Sequence, residues 1–196
     1  GAGSVAPVTL AGAYAAFPNG GYKVTPYFID RVTTADGEVL YESKPLICPE
    51  CNTPPESPPQ LEPQRPELIS SVTELYPLQR AAPRVVSPQN AYLISDMMVD
   101  VVRRGTANRA RRELGRDDLA GKTGTTNEGR DTWFVGFNAN IVGAAWVGFD
   151  SNRPLGGREQ GGITAIPMWI GFMREAMAGT AERLPRRPPG IVEYRI

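Results

Sequence analysis

The sequence predicts an α+β fold, an antiparallel central sheet with helices on both faces. Three observations carry that prediction. Residues 119–125, 132–138 and 141–149 are short runs rich in Val, Phe and Trp, and the last is apolar on both faces, as a sheet-centre strand covered by helices must be. Asn138 and Asn140 sit between the second and third runs, which makes those two a hairpin. Two amphipathic helical patterns, one before these runs and one after, supply the covering layers.

Each element has its own local reason. Leu10, Ala13, Tyr14 and Phe17 fall at helical spacing, and Pro18-Asn19-Gly20-Gly21 stops that helix. From Tyr22 to Glu42 the residues become β-branched and aromatic, interrupted by Asp36-Gly37, which predicts a hairpin through a type I′ turn with positive φ at both central residues. Ser87 caps the next helix and Pro88 takes its first position. Ile94, Met97, Met98, Val101 and Val102 form its apolar stripe, with the Met pair as core filler. Arg103 and Arg104 suit its C-terminus and Gly105 is the expected left-handed stop. A shorter basic helix follows from Asn108 to Leu114. After the strands, a glycine-rich loop runs from Pro154 to Gly162. Pro167 then introduces a helix with Trp169, Phe172, Met173 and Ala176 on one stripe, ended by Gly179.

The block from Pro45 to Pro88 holds 11 of the chain's 19 prolines and cannot form a continuous helix or a central strand. It reads as a long surface insertion, partly extended and partly disordered, with a Pro-rich ligand for an aromatic groove as the competing reading. Cys48 and Cys51 lie in it. With no second Cys pair and no histidine for a zinc site, and prolines where a redox motif needs a helix start, they are read as a loop element, either a small local disulfide or two free thiols. The resulting divisions are 1–44 (helix and hairpin), 45–86 (Pro-rich insertion), 87–180 (strand and helix core) and 181–196 (Pro/Arg-rich tail).

Composition excludes whole mechanisms. The 196 residues contain no histidine, so the chain itself holds no Ser-His-Asp triad, Cys-His pair or His-based zinc site; no metal or cofactor is expected. Basic and acidic residues balance at 21 each, which gives no long-range pull toward anionic partners. Six arginines from Arg103 to Arg116 are offset by neighbouring Asp and Glu, and no aromatic residues are interleaved to stack bases, so nucleic acid is not an expected partner. Thr132 to Phe149 carries no charge for 18 residues, but the two asparagines and the flanking Asp131 and Asp150 make it a hairpin rather than a membrane span. Gly1 to Pro7 show no basic segment followed by an apolar core, and the first residue is not methionine, so the chain reads as a piece of a longer protein.

One pattern carries chemistry: Gly121-Lys122-Thr123-Gly124-Thr125. A phosphate-binding loop fails on spacing, because five residues separate Gly115 from Gly121, on the charges of Asp117 and Asp118, and on the basic helix where a buried strand is required. The alternative is a strand at the edge of a cleft. Lys122 with the Thr123 and Thr125 hydroxyls is read as offering a cation and two donors in one direction to a carboxylate. Gly124 lets an incoming extended chain lie close to the strand, and the Thr125 N–H serves as one oxyanion donor.

The wider context closely resembles the C-terminal part of the transpeptidase domain of class A penicillin-binding proteins. The resemblance rests on residues 118–127 (Asp-Leu-Ala-Gly-Lys-Thr-Gly-Thr-Thr-Asn), 131–138 (Asp-Thr-Trp-Phe-Val-Gly-Phe-Asn) and 145–150 (Ala-Trp-Val-Gly-Phe-Asp). Lys-Thr-Gly is a known signature of these proteins and of β-lactamases. Residues 12–21, 101–106, 154–157, Gly161-Gly162 and 167–169 extend the match in family order. The resemblance implies the serine β-lactamase and transpeptidase fold, here its C-terminal portion. It further implies a membrane-anchored, bifunctional peptidoglycan synthase on the periplasmic face of the cytoplasmic membrane. Such a synthase polymerises glycan and cross-links stem peptides through a serine acylated by D-Ala-D-Ala donors or by β-lactam antibiotics. Lys122, Thr123, Gly124 and Thr125 are then the substrate-binding residues, with the Thr125 N–H in the oxyanion hole.

One departure limits this. No serine has a lysine three residues on or an asparagine two residues on, so neither family serine motif is present. In the family both lie upstream, in a part of the same domain expected as this chain's partner. The chain alone is therefore expected to be inactive. The competing reading is a non-catalytic binding module using the strand edge and the Pro-rich loop.

Overall fold

The computed structural model of the chain describes residues 4–48 and 81–194. Most of the Pro-rich insertion, with Cys51, lies outside them. The ends of that insertion are held side by side: Ile47 bridges Ala81, and the Ala82 N–H donates to the Ile47 carbonyl at 2.8 Å. Cys48 is disulfide-bonded.

Helix α1 (Pro7–Tyr14) starts on a proline and is shorter than its apolar spacing predicts; Phe17 falls in the turns that follow, edge-on to Tyr14 at 5.6 Å. Strands β1 (Arg31–Thr33) and β2 (Val39–Glu42) form the expected hairpin, but not with the expected turn. Asp36 keeps negative φ and only Gly37 is left-handed (φ 89°), with the Gly37 N–H bonded to the Thr34 carbonyl and the Thr34 N–H to that of Glu38. This is the longer hairpin loop whose single left-handed residue is glycine, so aspartate escapes a conformation that costs a side chain energy.

Helix α2 (Pro88–Arg103) is capped as predicted: Ser87 Oγ accepts from the Asn90 N–H at 3.3 Å. Its buried stripe is Ala91, Ser95, Met98, Val99 and Val102, whereas Ile94 and Met97 are exposed. The stripe is therefore turned from the predicted one, and small Ala91 and Ser95 are what allow the close approach. Ser95 satisfies its buried hydroxyl on the Ala91 carbonyl at 2.8 Å. Gly105 is not the left-handed stop; its α-carbon lies where a Cβ would come 2.8 Å from the Val101 α-carbon. The left-handed stop is Gly115 (φ 65°), one helix later, at the end of α3 (Asn108–Leu114).

Strands β3 (Ala120–Thr125), β4 (Asp131–Phe137) and β5 (Val142–Gly148) form an antiparallel sheet in the order β3-β4-β5. The uncharged stretch is the β4–β5 hairpin, closed by Asn138 Oδ1, which accepts from the N–H groups of Asn140 and Ile141 at 2.9 Å. Among the described residues no helix is long and apolar enough to cross a membrane.

Both faces of the sheet are covered. On one face Ala120, Phe137 and the half-buried Val142 pack with Met98 and Val99 of α2 and with Tyr14 and Phe17. On the other, Leu119, Phe134 and Ala145 pack under Ile166, Trp169, Ile170 and Met173 of helix α4 (Ala165–Ala176). Phe172, predicted for this stripe, is exposed. Gly121, Gly136 and Gly143 stand opposite one another across the three strands; Trp169 lies in the trench over Gly136 and Gly143, and the Phe134 ring lies against Gly121. A Cβ on Gly136 or Gly143 would come within 2.7 and 2.8 Å of the indole, and the indole N–H is shared between the carbonyls of these two glycines at 3.3 and 3.1 Å.

The arginines of the α2–β3 region are paired locally, Arg104 with Asp100, Arg109 with Glu113 and Arg111 with Asp117. The bond from Arg111 holds the Asp117 carboxyl below the ordinary carboxylate range. Arg116 and buried Asp118 form a two-bond pair at 2.9 and 2.8 Å. Asp118 also accepts the Arg183 N–H at 3.0 Å, and Arg116 donates to the Thr180 and Ala181 carbonyls, which pins the start of the tail against the entry to β3.

Candidate functional site on strand β3

The five-residue pattern occupies β3, which is an outer strand of the sheet among the described residues. Ala120 and Gly121 are buried, while Lys122 and Thr125 are exposed and Thr123 and Gly124 half-buried. The strand thus starts in the core and ends at the surface.

Hydrogen-bond phase decides which backbone groups are available. The Thr126 N–H donates to the Asp131 carbonyl at 3.0 Å, so that position pairs through hydrogen bonds. In an antiparallel ladder such positions alternate, which makes Gly124–Trp133 a bonded pair and leaves Thr125–Thr132 and Thr123–Phe134 as non-bonded pairs. The N–H and C=O groups of Thr123 and Thr125 therefore point away from β4, toward the outer edge.

The side chains do not all point one way. Strict alternation sends Thr123 and Thr125 to the face covered by α4, in line with Phe134 and Thr132, and sends Lys122 to the opposite face with Val135. This corrects the sequence expectation: residues one apart cannot share a face. Lys122 still serves the same edge, because its long side chain folds back and Nζ donates to the outward-facing Thr123 carbonyl at 2.8 Å.

Two residues from outside the strand reach the threonine hydroxyls. Thr106, in the α2–α3 connection, brings Oγ1 to 3.1 Å from that of Thr123. The Gly161 N–H donates to Thr125 Oγ1 at 3.2 Å. Gly161 crosses directly over the Gly124–Trp133 pair, where a Cβ would meet the Trp133 carbonyl oxygen at 2.4 Å. Sequence reasoning gave neither residue a role; the only signal was that Gly105-Thr106 and Gly161-Gly162 sit among the family-like segments.

Beyond the strand end, Trp133 and Trp146 lie 6.0 Å apart, and Asp131 accepts the Trp146 indole N–H at 2.9 Å. They border a shallow cleft with Asn127, Phe149 and Asn152. A separate cleft of about 570 Å³ between Phe17, Tyr92 and the tail lies away from Lys122. Among the described residues no three Cys, Asp or Glu side chains gather to hold a metal ion. The edge of β3 therefore offers one ammonium, two hydroxyls and the outward N–H groups of Thr123 and Thr125, a set suited to an anion lying alongside a backbone.

A family model, the penicillin-binding protein transpeptidase domain, matches residues 1–149. The chain belongs to that family. The penicillin-binding transpeptidase relatives include penicillin-binding protein 1A of Pseudomonas aeruginosa, 39% identical over 214 aligned positions that cover all of this chain and 26% of the relative. Penicillin-binding protein 1A of Neisseria gonorrhoeae is 36% identical over 192 positions, covering 98% of this chain and 20% of the relative. The chain thus spans about a quarter or less of these relatives. Among solved structures, penicillin-binding protein 1A from Haemophilus influenzae superposes with a TM-score of 0.81 at 36% identity, covering the whole chain and 30% of that structure. The penicillin-binding protein PonA1 from Mycobacterium tuberculosis shares the fold at a TM-score of 0.62 and 22% identity, over 97% of this chain and 46% of that one.

Proposed function

We propose that this chain is the carboxylate-binding wall of a serine D-Ala-D-Ala transpeptidase, within a longer peptidoglycan synthase. The observation that supports this best is the outer edge of β3, which carries the outward Thr125 N–H, the Thr123 and Thr125 hydroxyls on one face, and the Lys122 ammonium folded back to the Thr123 carbonyl. Lys122, Thr123 and Thr125 hold the terminal carboxylate of the donor stem peptide, and Gly124 leaves the strand open for its backbone. A serine from the upstream part of the domain attacks the penultimate D-Ala carbonyl. The Thr125 N–H receives the negative charge that develops on the carbonyl oxygen. Collapse expels the last D-Ala, leaving an ester on the serine; the amine of a second stem peptide attacks that ester, forms the cross-link and frees the serine. A β-lactam presents a comparable carboxylate and carbonyl and acylates the same serine without a ready second step.

The same reading extends to glycan polymerisation by another domain of the longer protein. It also extends to anchorage in the cytoplasmic membrane, with this domain on the periplasmic face. The division into 1–44, 45–86, 87–180 and 181–196 is kept as part of this proposal, with the Pro-rich segment as an insertion.

Fluorescent penicillin tests the core of it. The longer protein takes a covalent label that survives denaturing electrophoresis, whereas the 196-residue chain, which lacks Ser-x-x-Lys, takes none. A label on the isolated chain would place the nucleophile within it, and an unlabelled longer protein would end the transpeptidase reading.

A further inference from the structure

The two threonine hydroxyls of β3 are not free rotors. The Gly161 N–H donates to Thr125 Oγ1 at 3.2 Å, which occupies an acceptor position and leaves the Thr125 proton to be given elsewhere. The Thr106–Thr123 pair at 3.1 Å has two possible directions, and an incoming carboxylate removes the choice. An ionised carboxylate only accepts. Thr123 must therefore donate to it, and can stay in the pair only as acceptor, with Thr106 as donor. We infer that Thr106 is a positioning residue: its hydroxyl presets that of Thr123 as a donor toward the carboxylate at the β3 edge.

The surrounding chain is built to hold Thr106 in place. Gly105 allows the chain to turn tightly against Val101 at the end of α2, where a Cβ would overlap backbone. Ala107, immediately after Thr106, is fully buried in the core beneath α4. Gly162 packs so closely that a Cβ there would lie 3.2 Å from the Thr106 carbonyl oxygen. Thr106 is thus fixed from both sides while its own side chain stays exposed at the edge of the site. Gly161 and Gly162, adjacent in one loop, address Thr125 and Thr106 respectively, so one loop ties the two hydroxyl donors together.

This inference rests on the transpeptidase reading, and the test separates the two. In the longer protein, Thr106→Val keeps the shape and removes the hydroxyl. It is expected to lower the efficiency of acylation by benzylpenicillin about five- to tenfold, the worth of one hydrogen bond. The loss should appear in the binding constant rather than in the limiting acylation rate, and Thr106→Ser should restore it. In a cycle with Thr123→Val, the double variant should be no slower than Thr123→Val alone, because Thr106 acts only through Thr123. Thr106→Ala carries the same expectation and covers the case in which valine disturbs folding, with melting temperature recorded for each. Acylation of Thr106→Ala with wild-type efficiency, losses that multiply in the cycle, or no rescue by serine would overturn the role of Thr106 alone. A wild-type longer protein that takes no penicillin would overturn the transpeptidase reading and this inference with it.

Discussion

Replacing Gly161 by alanine would set a Cβ 2.4 Å from the Trp133 carbonyl oxygen and 2.7 Å from that of Gly124. Both are backbone atoms of a paired ladder and cannot move aside, so the loop has to lift. The expected cost is about 1–3 kcal/mol, as for other overpacked sites, seen as a lower melting temperature. The lift also withdraws the N–H from Thr125, so acylation in the longer protein should slow as well. An unchanged melting temperature would show that the loop is not seated on the strand. At this scale the sequence was half legible. Lys122, Thr123, Gly124 and Thr125 were identifiable as a set because a lysine beside two small hydroxyls stands out where only three of the 21 basic residues are lysine. A shared direction for the three groups fails at Lys122, because the two-residue period of a strand sends it to the face opposite Thr123 and Thr125. Thr106 and Gly161 were out of reach, because each touches β3 only through folds of the chain 17 and 36 residues long.

Between elements, the most consequential polar contact is the Arg116–Asp118 pair at the entry to β3. The Asp118 side chain is fully buried and that of Arg116 nearly so, and both also bind backbone groups of the tail. Removing the carboxylate with Asp118→Ala strands the guanidinium in a low-dielectric setting, at an expected cost of about 3–5 kcal/mol. Urea unfolding of the folded protein measures it. A loss below about 1 kcal/mol would mean that water reaches Arg116, as it does in exposed pairs. Element positions were largely legible from caps and periods: Ser87-Pro88 opens α2 and the Asn-rich turn closes β4–β5. Less legible was the rotation of α2 and α4. Ile94, Met97 and Phe172 are apolar at helical spacing, which predicts them in the core, yet all three are exposed. Periodicity reports which residues share a face; it does not report which face a sheet will take, and here small residues at Ala91 and Ser95 decided it.

For the molecule as a whole, the order β3-β4-β5 leaves β3 and β5 each with one outer edge unpaired among the described residues. Together with exposed Leu93, Ile94, Met97 and Phe172, these edges favour pairing with another copy. The isolated chain should self-associate at tens of micromolar, with a mass in sedimentation equilibrium that rises with concentration. A mass fixed at the monomer value would show that the edges are protected. The fold class was legible because three short apolar strands and two long helices admit few other arrangements. The contents of the Pro-rich segment were not, since proline density says what a segment cannot be rather than where it goes.

The glycine trench under Trp169 bears on how reliably this site is assembled. A slip of one residue between β4 and β5 would bring a side chain beneath the indole in place of Gly143, and a slip between β3 and β4 would bring one against the Phe134 ring in place of Gly121. The β3–β4 slip would also turn Thr123 and Thr125 to the wrong side of the sheet. Phe134 and Trp169, edge-on to each other, therefore act together as proofreaders of strand alignment: two residues that never meet a ligand reject misaligned sheets, among them the one that would misplace the hydroxyls.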